Sequence, residues 1–359
     1  MSISMNSHGP MRRRVSMQEV ARVADVAMSS VSRVLSGHPD VSAEMRKRVL
    51  EAVARLGYQP DFLAQSLRRG ATLSVGFVVS DISNPLLACI ALGAEGALRD
   101  AGYSMLVTNS LNDPELDLAH IRLFQHRRVD GLILSLASER KKAIVDLLAS
   151  IDVPVVVVDR QLPARARASA VFCDHAAGMR QAVNHLLDLG HRRIGLVSGP
   201  LDVLPGRARL AALREAVQAR GLPPTATLHV AGPFTHEHGR DGTRALLATP
   251  DPPTALIAGS NQILSGCLEM LLERELEPGR DIALVTCDDI SLARLYRPPI
   301  AAIVRDPVAL GRATADLLLQ RIRLGADGHA ARPESVVLPT HFEPRASCCP
   351  PPEHAHPIR

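Results

Sequence analysis

Short apolar runs recur from residue 73 onward: LSVGFVV, YSMLVT, VDGLILS, VPVVVVD, RRIGLVS, TALIAG and DIALVTC. Each is bounded by polar or turn residues and most are rich in Val, Ile and Leu, the signature of a strand buried on both faces. Between them lie longer stretches with helical spacing, near 86–101, 115–127, 174–189, 206–219, 236–248, 261–274 and 308–323. Strand and helix in alternation require crossover connections, so the strands must run parallel under a cover of helices. The series is long enough for two such sheets. Open sheets of this kind bind ligands in the crevice beyond the carboxyl ends of their strands. Ser135 and Asp159 close two of the runs, and Asp288 follows a third.

The chain before residue 73 reads differently. A helix from about Ser16 to Ala24 places Val20, Ala21 and Ala24 on one face, and Asp25 takes the turn, where Asp tolerates left-handed backbone better than most residues. A second helix, 28–35, turns Val31, Val34 and Leu35 inward. A third follows Ser42, a good N-cap, carries Met45, Val49, Leu50, Val53 and Leu56 at helical spacing, and stops at Gly57. Three short helices then share one small core, leaving Met28, Ser29, Ser32 and Arg33 on the outer face of the second to enter a major groove. Charge agrees with this. Residues 1–70 hold 11 Lys/Arg against 6 Asp/Glu, a balance of +5 in a chain whose total is +4, so the remainder sums to −1. Positive charge gathered in this way attracts a polyanion.

The stretch EVARVADVAMSSVSRVLSGHPDVSAEMRKRVLEAVARLGYQPDFLAQSLRRG resembles the DNA-binding headpiece of the LacI/GalR family of bacterial transcription regulators. The resemblance implies that Met28, Ser29 and Arg33 read base edges, the Arg being able to contact guanine in bidentate fashion. It also implies that DFLAQSLRRG, too short to be a stable helix alone, pairs with a second copy over the minor groove. Leu67 is then the wedge between base steps, flanked by Arg68 and Arg69 for the phosphates. Two residues depart from the family: Asp25 stands where Gly is usual, and Ala27 where Ser or Thr would cap the second helix.

The remainder is similar to the type I periplasmic-binding-protein fold through DISNP at 81–85, VDGLILS, LGHRRIGLVSGPLD, RARLAAL and CDDISLARLYRPP. This implies two α/β lobes with a small effector between them, facing Leu86, Ser135, Asp159, Arg209, Phe234, Asn261 and Asp288. An Arg and two carboxylates suit a hydroxyl-rich ligand, a sugar or sugar acid, since buried polar groups reject a ligand that leaves them unpaired. Leu86 replaces the usual aromatic and Gln262 the usual Asp, while Val203 and Pro205 lack the polar anion contacts of purine-responsive relatives.

The expected organisation is a flexible tail at 1–13, an all-α helix-turn-helix domain at 14–59, a hinge at 60–72, a two-lobed Rossmann-like α/β domain for effector binding and dimerisation at 73–345, and a disordered Pro-rich tail at 346–359. The expected function is that of a ligand-responsive cytoplasmic repressor, binding a pseudo-palindromic double-stranded operator as a homodimer. A solute-binding protein of a transport system is the alternative. Catalysis, metal and cofactors are not expected: there is no Gly-Lys pair for a phosphate loop and no G-x-S-x-G, His236-Glu237-His238 reads as the start of a solvated helix, and the six cysteines lack zinc or disulfide spacing. No run of 18 apolar residues exists, and Arg12, Arg13 and Arg14 stand where an apolar signal core would be, so no membrane partner is expected.

Overall fold

The computed structural model describes residues 15–35, 38–58, 71–325 and 332–352. Contacts divide the chain into two compact units, Met1–Thr72 and Leu73–Arg359.

The first unit is built from α1 (Met17–Ala24), α2 (Met28–Leu35) and α3 (Ala43–Leu56). Ser16 caps α1 through a reciprocal box: its hydroxyl accepts from the Glu19 amide, and the Glu19 carboxylate accepts from the Ser16 amide at 2.7 Å. Asp25 ends α1 in the left-handed region (φ 50°, ψ 54°), as the turn requires. Arg48 on α3 closes the corner by donating to the carbonyls of Ala24 (2.7 Å) and Asp25 (2.5 Å), which the end of α1 would otherwise leave unpaired. Val20, Ala21, Ala24, Val31, Val34, Val49 and Ala52 form the buried core, joined by Tyr58 just past the helix stop at Gly57. The hinge expected at 60–72, with Leu67 and Arg68, lies almost wholly outside the described residues.

The second unit holds two six-stranded sheets. The first contains β1 (Ser74–Val79), β2 (Ser104–Asn109), β3 (Gly131–Leu134), β4 (Val155–Val158), β5 (Ser169–Cys173) and β11 (Ser335–Leu338), in the order β11-β5-β4-β3-β1-β2. The second contains β6 (Ile194–Ser198), β7 (Thr227–Ala231), β8 (Ala255–Ala258), β9 (Ala283–Cys287), β10 (Ala301–Val304) and β12 (His341–Glu343), in the order β12-β10-β9-β8-β6-β7. All neighbours are parallel except β12, which runs antiparallel to β10. The same winding thus occurs twice. In each sheet the strand order reverses beside the first strand, so the switch points of the two lobes face one cleft.

The lobes are not contiguous in sequence. The chain crosses between them at 173–175, at 304–307 and at 338–341, so α7 (His175–Asp188) packs in the second lobe while α12 (Pro307–Arg323) returns to the first. Thr340 ties two crossings together, its hydroxyl donating to the Asp174 carbonyl (2.6 Å) and accepting from the Gly178 amide (2.9 Å). α12 lies so close to α4 (Pro85–Asp100) that a Cβ at Gly93 would meet the Val308 carbonyl oxygen at 2.1 Å, and one at Gly311 the Ile90 carbonyl oxygen at 1.9 Å.

One expectation needs correction. Residues 346–352 are not a loose tail. Ser347 is fully buried, its hydroxyl accepting from the Ala301 amide (2.8 Å) and donating to the Leu284 carbonyl (2.6 Å), while Cys348 and Cys349 pack on the second lobe's core and His191 bonds the Cys349 carbonyl (2.8 Å). Proline lacks an amide to orphan, so a Pro-rich strap can lie across a sheet end at little cost. His236 and His238 open a helix, α9 (His236–Leu247), and each also has a partner: His236, 43% exposed, bonds Ser265 (3.0 Å) and Glu269, and His238 the Ser198 carbonyl (2.9 Å).

Candidate functional site

Two surfaces carry the residues singled out by the sequence. On α2, Met28 is 57% exposed, Ser29 and Arg33 are exposed, and Ser32 is half-buried, while Val31 and Val34 of the same helix are buried. The helix therefore presents one polar face with a single long apolar side chain at its start. Ala27 gives the helix only a carbonyl, which accepts from Ser30 (2.9 Å) and Val31 (3.2 Å), and no side-chain oxygen for the other amides of the first turn.

The cleft of the second unit opens to solvent, and the space between its walls, open solvent included, is about 530 Å³. Leu86, Ser135, Asp159, Arg209, Phe234 and Asp288 all line it. Leu86 stands in the first turn of α4, whose cap Asn84 accepts from the Leu86 amide at 3.0 Å. Ser135, just past β3, shares a hydrogen bond with Ser80 at 3.2 Å. Phe234 packs against Gly199; any Cβ there would sit 2.0 Å from its ring. Asn261 is placed differently: it is 2% exposed, does not line the cavity, and spans the lobes by donating from Nδ2 to Asn84 Oδ1 at 2.8 Å. Beside it, Gln262 donates to Asp81 of the first lobe at 2.8 Å. The acceptor oxygens of both amides, Asn261 Oδ1 and Gln262 Oε1, are buried without a partner. A buried unmatched acceptor is costly, about 1–3 kcal/mol, and a ligand that supplies a donor removes that cost.

Asp159 and Asp288 follow corresponding strands of the two sheets, and both adopt left-handed backbone, with φ of 55° and 80°. Such conformations in non-glycine residues cluster where function holds them in place. Between the two carboxylates lies Arg305, on the 304–307 crossing. It is paired with Asp159 and donates through Nε to Asp288 at 2.7 Å, with 5% of its side chain exposed. His175, on another crossing, bonds Asp159 through Nε2 at 2.9 Å and faces Arg209 through Nδ1 at 3.3 Å. Arg209 also donates to the Gly259 carbonyl at 2.6 Å and stands 4.0 Å from Asp288. Because a carboxylate only accepts and a guanidinium only donates, His175 must be neutral with its proton on Nε2.

The titration behaviour follows from this packing. Burial alone pushes Asp159 upward, but Arg305 and His175 outweigh it and hold the carboxyl well below its ordinary range. Burial alone would lower Arg305, yet the two carboxylates keep it well above its usual value. Burial lowers His175; Asp159 opposes this and Arg209 adds to it. The cleft floor is thus internally neutralised, with oxygens left for hydrogen-bond donors and no activated nucleophile.

Sequence reasoning missed Arg305, His175, Asn84 and Asp81. The available signal was position: Arg305 follows the run AAIV at 301–304 and His175 closely follows SAVFC at 169–173, two strands not read as such. Among the described residues no group of His, Cys, Asp or Glu is arranged to hold a metal, and no helix is long and apolar enough to cross a membrane.

Comparison with known proteins bears on both surfaces. Residues 16–61 match the model of bacterial regulatory proteins of the lacI family, and 183–348 match a periplasmic binding protein-like domain. The chain is 32% identical over 308 residues to the HTH-type transcriptional repressor PurR of Haemophilus influenzae (strain PittEE), covering 85% of this chain and 90% of the relative. Its fold is similar to that of the lac repressor dimer bound to operator and the anti-inducer ONPF, with a TM-score of 0.82 and 28% identity over 94% of this chain and all of that one. A complex of the transcriptional regulator CelR with cellobiose matches at a TM-score of 0.69 and 32% identity, covering 93% of this chain and 100% of that one.

Proposed function

The chain belongs to the lacI family of bacterial regulatory proteins, DNA-binding transcriptional repressors rather than enzymes, and on that premise we propose that it is a homodimeric repressor released or recruited by a small hydroxyl-rich effector. Met28, Ser29, Ser32 and Arg33 enter the major groove of a pseudo-palindromic operator. Residues 60–72 act as the hinge, with Leu67 wedged between base steps and Arg68 on the backbone. Exposed leucines on both lobes, Leu92 and Leu111 in the first, Leu272 and Leu295 in the second, support a partner copy, since large side chains left 64–76% exposed favour burial in an interface. The protein acts in the cytoplasm, on DNA.

The observation that carries the effector assignment is the pair of unmatched acceptors at Asn261 and Gln262, at the edge of a cleft whose charges already cancel. Leu86, Ser135, Asp159, Arg209, Phe234 and Asp288 surround the effector, and Gln262, next to the buried Asn261, completes the wall. The lac repressor structure named above is a dimer on its operator, and the CelR structure holds cellobiose, which supports a dimer and a sugar here. A thermal-shift panel of neutral sugars, sugar acids and nucleosides tests the ligand class: a rise with a neutral sugar is expected, and a rise with nucleosides alone overturns it. For the DNA half, duplexes selected from a random pool should share a palindrome, and Leu67→Ala should weaken that site much more than unrelated DNA. Equal losses on both would remove the wedge. A solute-binding protein would have no use for residues 16–61, and binding to no duplex at low salt would favour that reading.

A further inference from the structure

Glu139 contributes nothing to the cavity wall, yet it joins the two lobes beside it. It lies in the loop after β3, in the first lobe, and is 2% exposed. A carboxylate so buried is tolerable only when several donors surround it. Glu139 draws them from both lobes. Its Oε1 accepts from the Gln161 amide of its own lobe at 3.0 Å and from the Leu204 amide of the other at 2.6 Å. Its Oε2 faces the Arg207 guanidinium at 2.5 Å. Arg207 reaches back toward the first lobe as well, with Nη2 3.5 Å from the Gln161 side-chain oxygen.

Leu204 is the first residue of α8 (Leu204–Ala219), whose own N-cap residue, Val203, has no side-chain acceptor. The first amides of a helix have no partner within it, and its positive end favours an anion. The opening amide of a second-lobe helix is therefore capped by a side chain of the first lobe. The same helix carries Pro205 and Arg209 to the cavity wall. Parting the lobes would remove the Leu204 and Arg207 donors from Glu139 together, and would strip α8 of its cap in the same movement.

We infer that Glu139 is a positioning residue: a cap lent by one lobe to a helix of the other, which holds the lobes in contact and sets Arg209 in register with Asp288 and His175. This concerns the lobes themselves and stands whichever molecule the cleft takes.

Hydrogen exchange on the full-length protein, without added ligand, reads the inference directly. The Leu204 and Gln161 amides, one on each lobe, should exchange slowly in the wild type. Glu139→Ala should speed both at least ten-fold and raise the radius of gyration seen by X-ray scattering. Amides of β8, which pair with β6 and β9 and not with the clasp, should keep their rates. Glu139→Gln retains an acceptor for Leu204 but loses the charge facing Arg207, so its rates should fall between the two; it also carries the test if the Ala variant does not fold. Three results would overturn the inference: fast exchange at both amides in the wild type, unchanged exchange in both variants, or an equal acceleration in β8, which would make Glu139 a residue of general stability.

Discussion

The outer face of α2 and the floor of the cleft are built in opposite ways. Met28 is 57% exposed, and Ser29 and Arg33 beside it are exposed on a helix whose inward residues do the packing. Asp159, Arg209 and Asp288 are 6%, 4% and 3% exposed and are held chiefly by one another, by Arg305 and by His175. On the first surface the residues proposed to read DNA are not those of the buried core. In the cleft, packing and the proposed effector contacts fall on the same residues.

The sharpest way to break that contrast is Arg305→Met. It leaves two buried carboxylates without their shared cation, and losing one partner of a buried pair costs about 3–5 kcal/mol. Urea unfolding should show that loss, and an unchanged midpoint would mean that the cleft is as separable from the fold as the headpiece face. Arg33→Ala is the complementary test: if Arg33 makes the proposed bidentate guanine contact, its loss should cost about 1–3 kcal/mol of specific binding in a gel shift, with the melting temperature measured beside it. A fall in melting temperature would place Arg33 among the folding residues.

Ala27→Ser should restore a side-chain cap to α2 and stabilise the first unit by about 1 kcal/mol, visible as slower exchange of the amides in its first turn. The smallest effect concerns pH. Burial holds His175 below the ordinary histidine value of 6.5, and burial does the same to His191 and His229. The unfolded chain takes up these protons first as pH falls, so stability is intact above about pH 6.5 and declines below it. His175→Gln should make the fall in melting temperature between pH 7 and pH 5.5 shallower, and an unchanged slope would assign the effect to the other two histidines.

The sequence was legible where physics acts locally. The cap at Ser42, the left-handed turn at Asp25, the stop at Gly57 and the strand ends at Ser135, Asp159 and Asp288 each announce themselves within a few residues. Strands β5, β7, β10, β11 and β12 did not, because they are short, rich in Ala or half-exposed, and take their register from neighbours rather than from their own pattern. Arg305 and Glu139 reads as ordinary charges in IVRDP and ASERK; what distinguishes them is a partner 146 residues away in one case and 65 in the other. The strap at 346–352 shows the same limit, since a Pro-rich composition says nothing about a serine that finds two backbone partners.

The three crossings between the lobes have a mechanical consequence. The chain passes from the first lobe to the second, back again, and over once more, so the lobes are joined by three separate segments. They make the connection redundant: a protease that severs one strap leaves two intact, and neither half of the molecule is set free.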